Sequence, residues 1–184
     1  PKSTTLGLLR KFNKSFVEQL FNAAPHHLAK QWRMSLMYER DSVGELMQPA
    51  PLVLNENLTI KEAINLVREI PKQILFTYGM VVNDNNELTG VLVFRDILYH
   101  EDGELLKDIS FKDPVCFDFN ENVLEVFIKI AGKQIPEYPV LNDKKQLLGI
   151  LRGSHVADSH ALDIMAQSGI LVGVSKEEAL DTTW

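Results

Sequence analysis

The chain carries the same block twice. Asn55-Glu56-Asn57-Leu58 returns as Asn120-Glu121-Asn122-Val123, and Pro49 stands at the same offset from Pro114. Further on, Val82-Asn83-Asp84 with Glu87-Leu88-Thr89-Gly90-Val91-Leu92 returns as Leu141-Asn142-Asp143 with Gln146-Leu147-Leu148-Gly149-Ile150-Leu151. The first match reads as an offset of 65 residues and the second as 59, which gives the first copy six extra residues between the blocks. Two matched blocks in one order identify an internal duplication, and a duplication at this spacing dictates architecture before anything else does. Units of ~60 residues bury too little surface to be stable alone, so the two copies are expected to pack on each other.

Both copies follow one pattern. A short apolar stretch (Leu52-Val53-Leu54; Val115-Cys116-Phe117) precedes the Asn-Glu-Asn cluster, whose side chains can cap the unpaired N–H groups of a first helical turn. Leu58, Ala63, Ile64 and Val67 in one copy, and Val123, Val126, Phe127 and Ile130 in the other, then recur at helical spacing. Strands are predicted at Tyr78–Val82 and Tyr138–Leu141, and Asn-Asp with polar neighbours makes the turn of a hairpin. The return strands, Leu88–Phe94 and Leu147–Leu151, lead into a last helix. The order β-α-β-β-α, twice, gives an α/β (α+β) class in which each helix covers a small sheet. The organisation expected is a helical segment at 1–40, repeats at 41–103 and 104–160, and a connecting helix or linker at 161–184. In the first segment Leu8, Leu9, Phe12, Phe16, Leu20 and Phe21 form a helical stripe broken at Pro25, with a second helix to about Met37.

Bulk properties narrow the function classes. Apolar residues make up 45% of the 184, enough for a packed core, and the net charge is −6. An acidic chain is a poor holder of a phosphate backbone, which argues against a nucleic-acid partner. Nothing approaches the ~18–20 apolar residues of a membrane helix, and the start lacks a signal-peptide pattern. The single cysteine, Cys116, cannot form an internal disulfide and reads as a buried, inert thiol of a reducing compartment. A start at Pro1 and an abrupt end at Trp184 suggest a piece of a longer protein, expected to include a membrane part.

Gly90-Val91-Leu92-Val93-Phe94-Arg95-Asp96, inside such a repeat, resembles the CBS domain (named for cystathionine β-synthase). CBS domains form tandem pairs whose clefts commonly take adenosine nucleotides through a Gly-hydrophobic-x-Ser/Thr-x-x-Asp signature. The resemblance places Asp96 at the acidic, ribose-binding position, a task suited to a carboxylate that accepts two bonds from a diol. Val93 replaces the hydroxyl residue of the signature. In the second copy Arg152 stands at the hydroxyl position and His155 at the acidic one.

The chain further resembles the cytosolic region of the MgtE family of magnesium transporters. Tyr38-Glu39-Arg40-Asp41-Ser42-Val43-Gly44-Glu45-Leu46-Met47, the Gly90–Asp96 run, Val156-Ala157-Asp158 and Gly173-Val174-Ser175-Lys176-Glu177-Glu178 with Leu180–Trp184 carry this likeness. It implies regulatory Mg²⁺ bound by acidic residues at Asp158 and Asp163, with Glu125 and Asp96 as further ligands. It also implies a homodimer formed through the CBS pair, a transmembrane domain on the same chain, and a place at the cytoplasmic side of the membrane. Mg²⁺ keeps several waters, so scattered single carboxylates suffice. His155 and Ser154 stand where that family usually has Asp-Asp.

Simpler roles exist for the same residues. Asp96 suits a helix N-terminus, and Asp158 and Asp163, five apart, suit a solvated helix face. The histidines at 26, 27, 100, 155 and 160 have no zinc-type spacing, and Ser154-His155 lacks an orienting acid, so no enzyme is expected. Gly90 and Gly149 form no phosphate-cradling loop and read as backbone requirements of the repeat. The expectation is a gating module that responds to Mg²⁺. The alternatives are a soluble regulator responsive to ATP or AMP and a structural dimerisation module.

Overall fold

The computed structural model describes residues 2–156, except Gln73, Leu75 and Gln134. Three helices come first: α1 (Lys2–Leu9), α2 (Lys14–Ala23) and α3 (His26–Leu36). The sequence stripe predicted one helix across Phe12, but Asn13 ends that continuity, because its side chain accepts from Phe16 N–H and starts a new helix. The stripe therefore divides. Leu6, Leu9, Val17, Phe21 and Ala29 form a core with Trp32 and Leu36, while Leu8, Phe12, Phe16 and Leu20 face outward.

The repeats follow. The first comprises α4 (Val43–Leu46), β1 (Val53–Asn55), α5 (Ile60–Arg68), β2 (Tyr78–Val82) and β3 (Leu88–Val93), closed by a 3-10 helix at Phe94–Tyr99. The second comprises α6 (Leu106–Ile109), β4 (Phe117–Asp118), α7 (Val123–Ile130), β5 (Glu137–Leu141) and β6 (Leu147–Arg152). The sheets run β1-β2-β3 and β4-β5-β6, with a parallel and then an antiparallel pairing in each.

Strand register corrects the sequence alignment. Val81 and Val140 are equivalent, each opposite a glycine, which keeps the offset of 59. Their other neighbours are Leu54 and Phe117, so the first block is offset by 63 residues rather than 65, and the first copy has four extra residues rather than six. The Asn-Glu-Asn identity is thus a coincidence two residues out of register. Asn122 does cap α7, but its counterpart is Thr59, which caps α5 in a reciprocal pair with Glu62. The hairpins match closely. Asn83 Oδ1 accepts from the N–H groups of Asn85 and Glu87, and Asn142 Oδ1 from those of Lys144 and Gln146. Asn86 and Lys145 close these turns in left-handed conformation, at φ of 62° and 59°.

The leading helices change places. Val43, Leu46 and Met47 pack with Phe117, Val123, Val126, Tyr138, Val140 and Leu151 of the second repeat. Leu106 packs with Leu54, Ile60, Ala63, Val81 and Leu92 of the first. Backbone bonds fix both exchanges: Val43 N–H to Glu121 O and Val123 N–H to Asp41 O on one side, Leu106 N–H to Leu58 O and Ile60 N–H to Glu104 O on the other. The segments that cross between repeats lie against glycines. A Cβ on Gly149 would run into the carbonyl of Gln48, and one on Gly90 would meet Ser110 and the carbonyl of Phe111. Between the sheets Met80, Val82 and Val91 meet Leu147 and Ile150.

Candidate functional site

Each sheet presents one equivalent end, where β3 or β6 leaves it and turns into a helix. At the first end, Tyr78 pairs with Val93, and Asp96 lies in the first turn of the 3-10 helix. The Asp96 side chain is 45% exposed, and its Oδ1 is 3.4 Å from both Nε and Nη2 of the exposed Arg95. A carboxylate there is favoured by the unpaired N–H groups of the turn and remains open to solvent.

At the second end the equivalent pair is Glu137 and Arg152. Arg152 Nη2 lies 3.2 Å from Glu137 Oε1, with the Arg152 side chain 31% exposed and that of Glu137 only 6%. Glu137 Oε2 is buried and finds no hydrogen-bond partner among the described residues, as does the Tyr138 hydroxyl. Burial pushes the Glu137 carboxyl above its ordinary range and outweighs the pull of Arg152. One turn on, His155 Nδ1 is 2.7 Å from Gln48 Nε2. The amide can donate only to an unprotonated Nδ1, which fixes the tautomer in this arrangement. The acidic position of the second copy is thus a histidine held by a crossing segment.

Of the four expected metal ligands, Glu125 and Asp96 lie among the described residues, in different repeats. Glu125 is exposed in the first turn of α7, and Lys129 on the same helix bonds Glu121 at 2.6 Å. Asp96 belongs to the other repeat. Among the described residues no group of three or more His, Cys, Asp or Glu side chains could hold a metal ion. Asp158 and Asp163 lie outside the described residues, as does the proposed connecting helix.

Cys116 is partly buried rather than fully so, donates to Pro114 O at 3.1 Å, and has its thiol pushed up to about 11 by burial, as an unreactive cysteine should. Glu137 escaped the sequence reading. Its signal was available: at the offset of 59 it stands against Tyr78, a charge opposite an aromatic on an inward face. Glu45 escaped too, although it is buried, accepts from Asp41 N–H at 2.9 Å and pairs with Arg10.

Paired βαββ units with exchanged leading helices and two equivalent strand-to-helix ends define a tandem CBS pair. The CBS domain family model matches residues 43–103 and 106–158, and the chain belongs to that family. The magnesium transporter MgtE of Bacillus subtilis is 26% identical over 133 residues, 71% of this chain, which spans 29% of that relative's length. The fold is similar to that of the soluble part of a magnesium transporter (TM-score 0.74, 22% identity, 90% of this chain and 64% of that one). It is also similar to the cytosolic domain of the Mg²⁺ channel MgtE in complex with ATP (TM-score 0.73, 23% identity, 85% and 63%). A CBS protein solved in complex with AMP matches less of it (TM-score 0.53, 23% identity, 67% and 98%).

Among the described residues no helix is long and apolar enough to cross a membrane.

Proposed function

We propose that this chain is the cytosolic regulatory module of an MgtE-like magnesium transporter, with a sensing rather than a catalytic role. The observation that carries this reading is the extent of the likeness. A match over 90% of the chain must include part of the helical segment that precedes the CBS pair, whereas the CBS protein solved with AMP matches 67%. That helical segment is joined to the pair by a specific contact, the Arg10–Glu45 ion pair, rather than by chain connectivity alone.

In this reading the module works by population shift. Mg²⁺ bridges carboxylates, with Asp158 and Asp163 as principal ligands and Glu125 and Asp96 as auxiliary ones, and favours a compact homodimer that holds the transmembrane domain closed. When Mg²⁺ falls, the carboxylates repel one another and the closed state loses its support. The ion acts only through its preference for one state.

A second reading, an adenosine-nucleotide-responsive regulator, is favoured by the open setting of Asp96 and by the relatives solved with ATP and AMP. One experiment separates the two. The melting temperature of the chain is followed against Mg²⁺, with and without ATP or AMP, since a ligand of the folded state must raise it. A rise with millimolar Mg²⁺ that Asp158→Ala and Asp163→Ala diminish supports the transporter module. A rise with nucleotide alone, lost in Asp96→Ala, supports the second reading. No rise with either sinks both.

A further inference from the structure

Charge is divided unevenly along the chain. Residues 1–40 hold seven of the 19 Lys and Arg but two of the 25 Asp and Glu, a net charge of +5 that leaves −11 on residues 41–184. Two of those seven cations are committed, Arg10 to the buried Glu45 and Arg33 to Glu18. Lys11, Lys14 and Lys30 are exposed and have no hydrogen bond or ion pair among the described residues. A basic segment joined to an acidic one keeps a local positive field, which draws anionic partners to it.

The same segment exposes apolar surface that its own core does not use. Leu6, Leu9, Val17 and Phe21 are buried, whereas Leu8, Phe12, Phe16 and Leu20 are between 36% and 52% exposed. The exposed four are contiguous. The Phe12 and Phe16 rings stand 4.8 Å apart, and Leu8, Phe12 and Leu20 line, with Trp32, an apolar hollow of about 430 Å³. Lys11 directly precedes Phe12 in the turn between α1 and α2. Free lysines alone would suit any acidic surface, including the CBS pair of a second copy, and exposed rings alone would suit any apolar groove. An anionic bilayer accepts both at once, because phenyl and leucyl groups enter the boundary between headgroups and acyl chains while lysines reach the phosphates.

We propose that the helical segment is a peripheral membrane-binding surface for anionic phospholipid. Phe12 and Phe16, with Leu8 and Leu20, enter the headgroup boundary. Lys11 meets the phosphates beside them, and the other free lysines add to the attraction. The acidic CBS pair is repelled by the same surface, so the molecule approaches it with the helices first. This inference rests on the proposed place of the chain at the cytoplasmic side of a membrane, where anionic lipid is at hand. It does not rest on Mg²⁺.

The test is co-sedimentation of the chain with vesicles of phosphatidylcholine alone and of phosphatidylcholine mixed with phosphatidylglycerol in equal parts. Binding to the mixed vesicles is expected to be at least about ten-fold stronger than to the neutral ones, and to weaken as salt is added. Phe12→Ser combined with Phe16→Ser should reduce it by at least about ten-fold. Lys11→Gln, Lys14→Gln and Lys30→Gln together, a change confined to exposed side chains, should reduce it by a similar factor. Phe111→Ser, which removes an equally exposed ring from the acidic CBS pair, should leave it unchanged. Equal binding to both kinds of vesicle, or binding that survives loss of both phenylalanines, overturns the proposal. Self-association of the chain without lipid, abolished by the same double substitution, would assign the surface to a second copy and overturn it as well. The melting response to Mg²⁺, followed on the same variants, should match that of the parent, so either reading can fail visibly without the other.

Discussion

Arg10 places its Nε 3.2 Å from Oε1 of Glu45 while its Nη2 donates to the carbonyl of Tyr38 at 2.8 Å. The two residues are 35 positions apart, one following the first helix and the other inside α4. Because α4 packs on the second repeat, this one guanidinium ties the N-terminal helices to a core formed more than a hundred residues later. Glu45 is buried, with its side chain 6% exposed, and its carboxylate is partnered there by Arg10 and the Asp41 N–H.

Removing Arg10 leaves a buried carboxylate with one partner fewer. Arg10→Ala is expected to destabilise the chain by about 1–3 kcal/mol in urea unfolding. Arg10→Lys should recover only part of that loss, since an ammonium cannot serve two acceptors in the same planar arrangement. An unchanged midpoint for Arg10→Ala would show that the helices are joined to the CBS pair by other means.

Glycine substitutions should divide by location. In Gly149→Ala the new methyl meets the backbone carbonyl of Gln48, which cannot move without breaking its bonds to Ile150, and a loss of about 1–3 kcal/mol is expected. Gly7 lies in α1 with nothing within 4 Å of an added Cβ, so Gly7→Ala should be neutral or stabilising by up to about 1 kcal/mol. Thermal melts of the two variants make the comparison, and equal effects would contradict the close approach at Gly149.

The duplication was legible because hairpins write themselves into sequence: Asn83 and Asn142 sit where a side-chain oxygen must accept two N–H groups, and few residues can do so. The β-α-β-β order followed from periodicity, and the observed strand ends lie within two residues of the predicted ones, with Tyr78–Val82 matching at both ends. What misled was chemical identity without register. Asn55-Glu56-Asn57 resembles Asn120-Glu121-Asn122, yet Thr59 and Asn122 hold the same structural post with different side chains. The helices α4 and α6, four residues each, are too short for any periodicity and went unseen, and with them the exchange between repeats. At the site, Asp96 was readable from its motif. Glu137 carries no motif of its own, so its only sequence signal was its place at the offset of 59 from Tyr78, and the pairing across β6 is what sets it against Arg152.

The pH dependence of stability should carry the mark of Glu137. Its carboxyl titrates above the ordinary value of 4.5 in the folded chain, so the folded state holds this proton more firmly than the unfolded one. The resulting stability is fully present below about 4.5 and is lost as pH rises through the raised folded value. Relative to Glu137→Gln, which cannot titrate, the parent chain is therefore expected to lose stability across that window. Urea unfolding of both proteins at a series of pH values tests this, and parallel curves would remove burial as the dominant influence on Glu137.

Cys116 offers an independent probe. With its thiol pushed up from 9.0 to about 11, the thiolate population at neutral pH is about 100-fold smaller than that of an unperturbed thiol. Alkylation by iodoacetamide should be slower in the native chain by about that factor than in urea. Comparable rates would mean that the thiol is more open than its hydrogen bond to Pro114 implies.

The exchange of α4 and α6 sets where this molecule can be cut. A fragment that ends after the first repeat keeps α4 but loses the sheet that α4 covers, and it leaves its own sheet without Leu106. A fragment that begins at the second repeat has the mirror-image defect. Neither half is a portable part. An engineer wishing to graft this CBS pair onto another protein must move both copies in one piece, with the seam placed ahead of Asp41, where the first crossing segment begins.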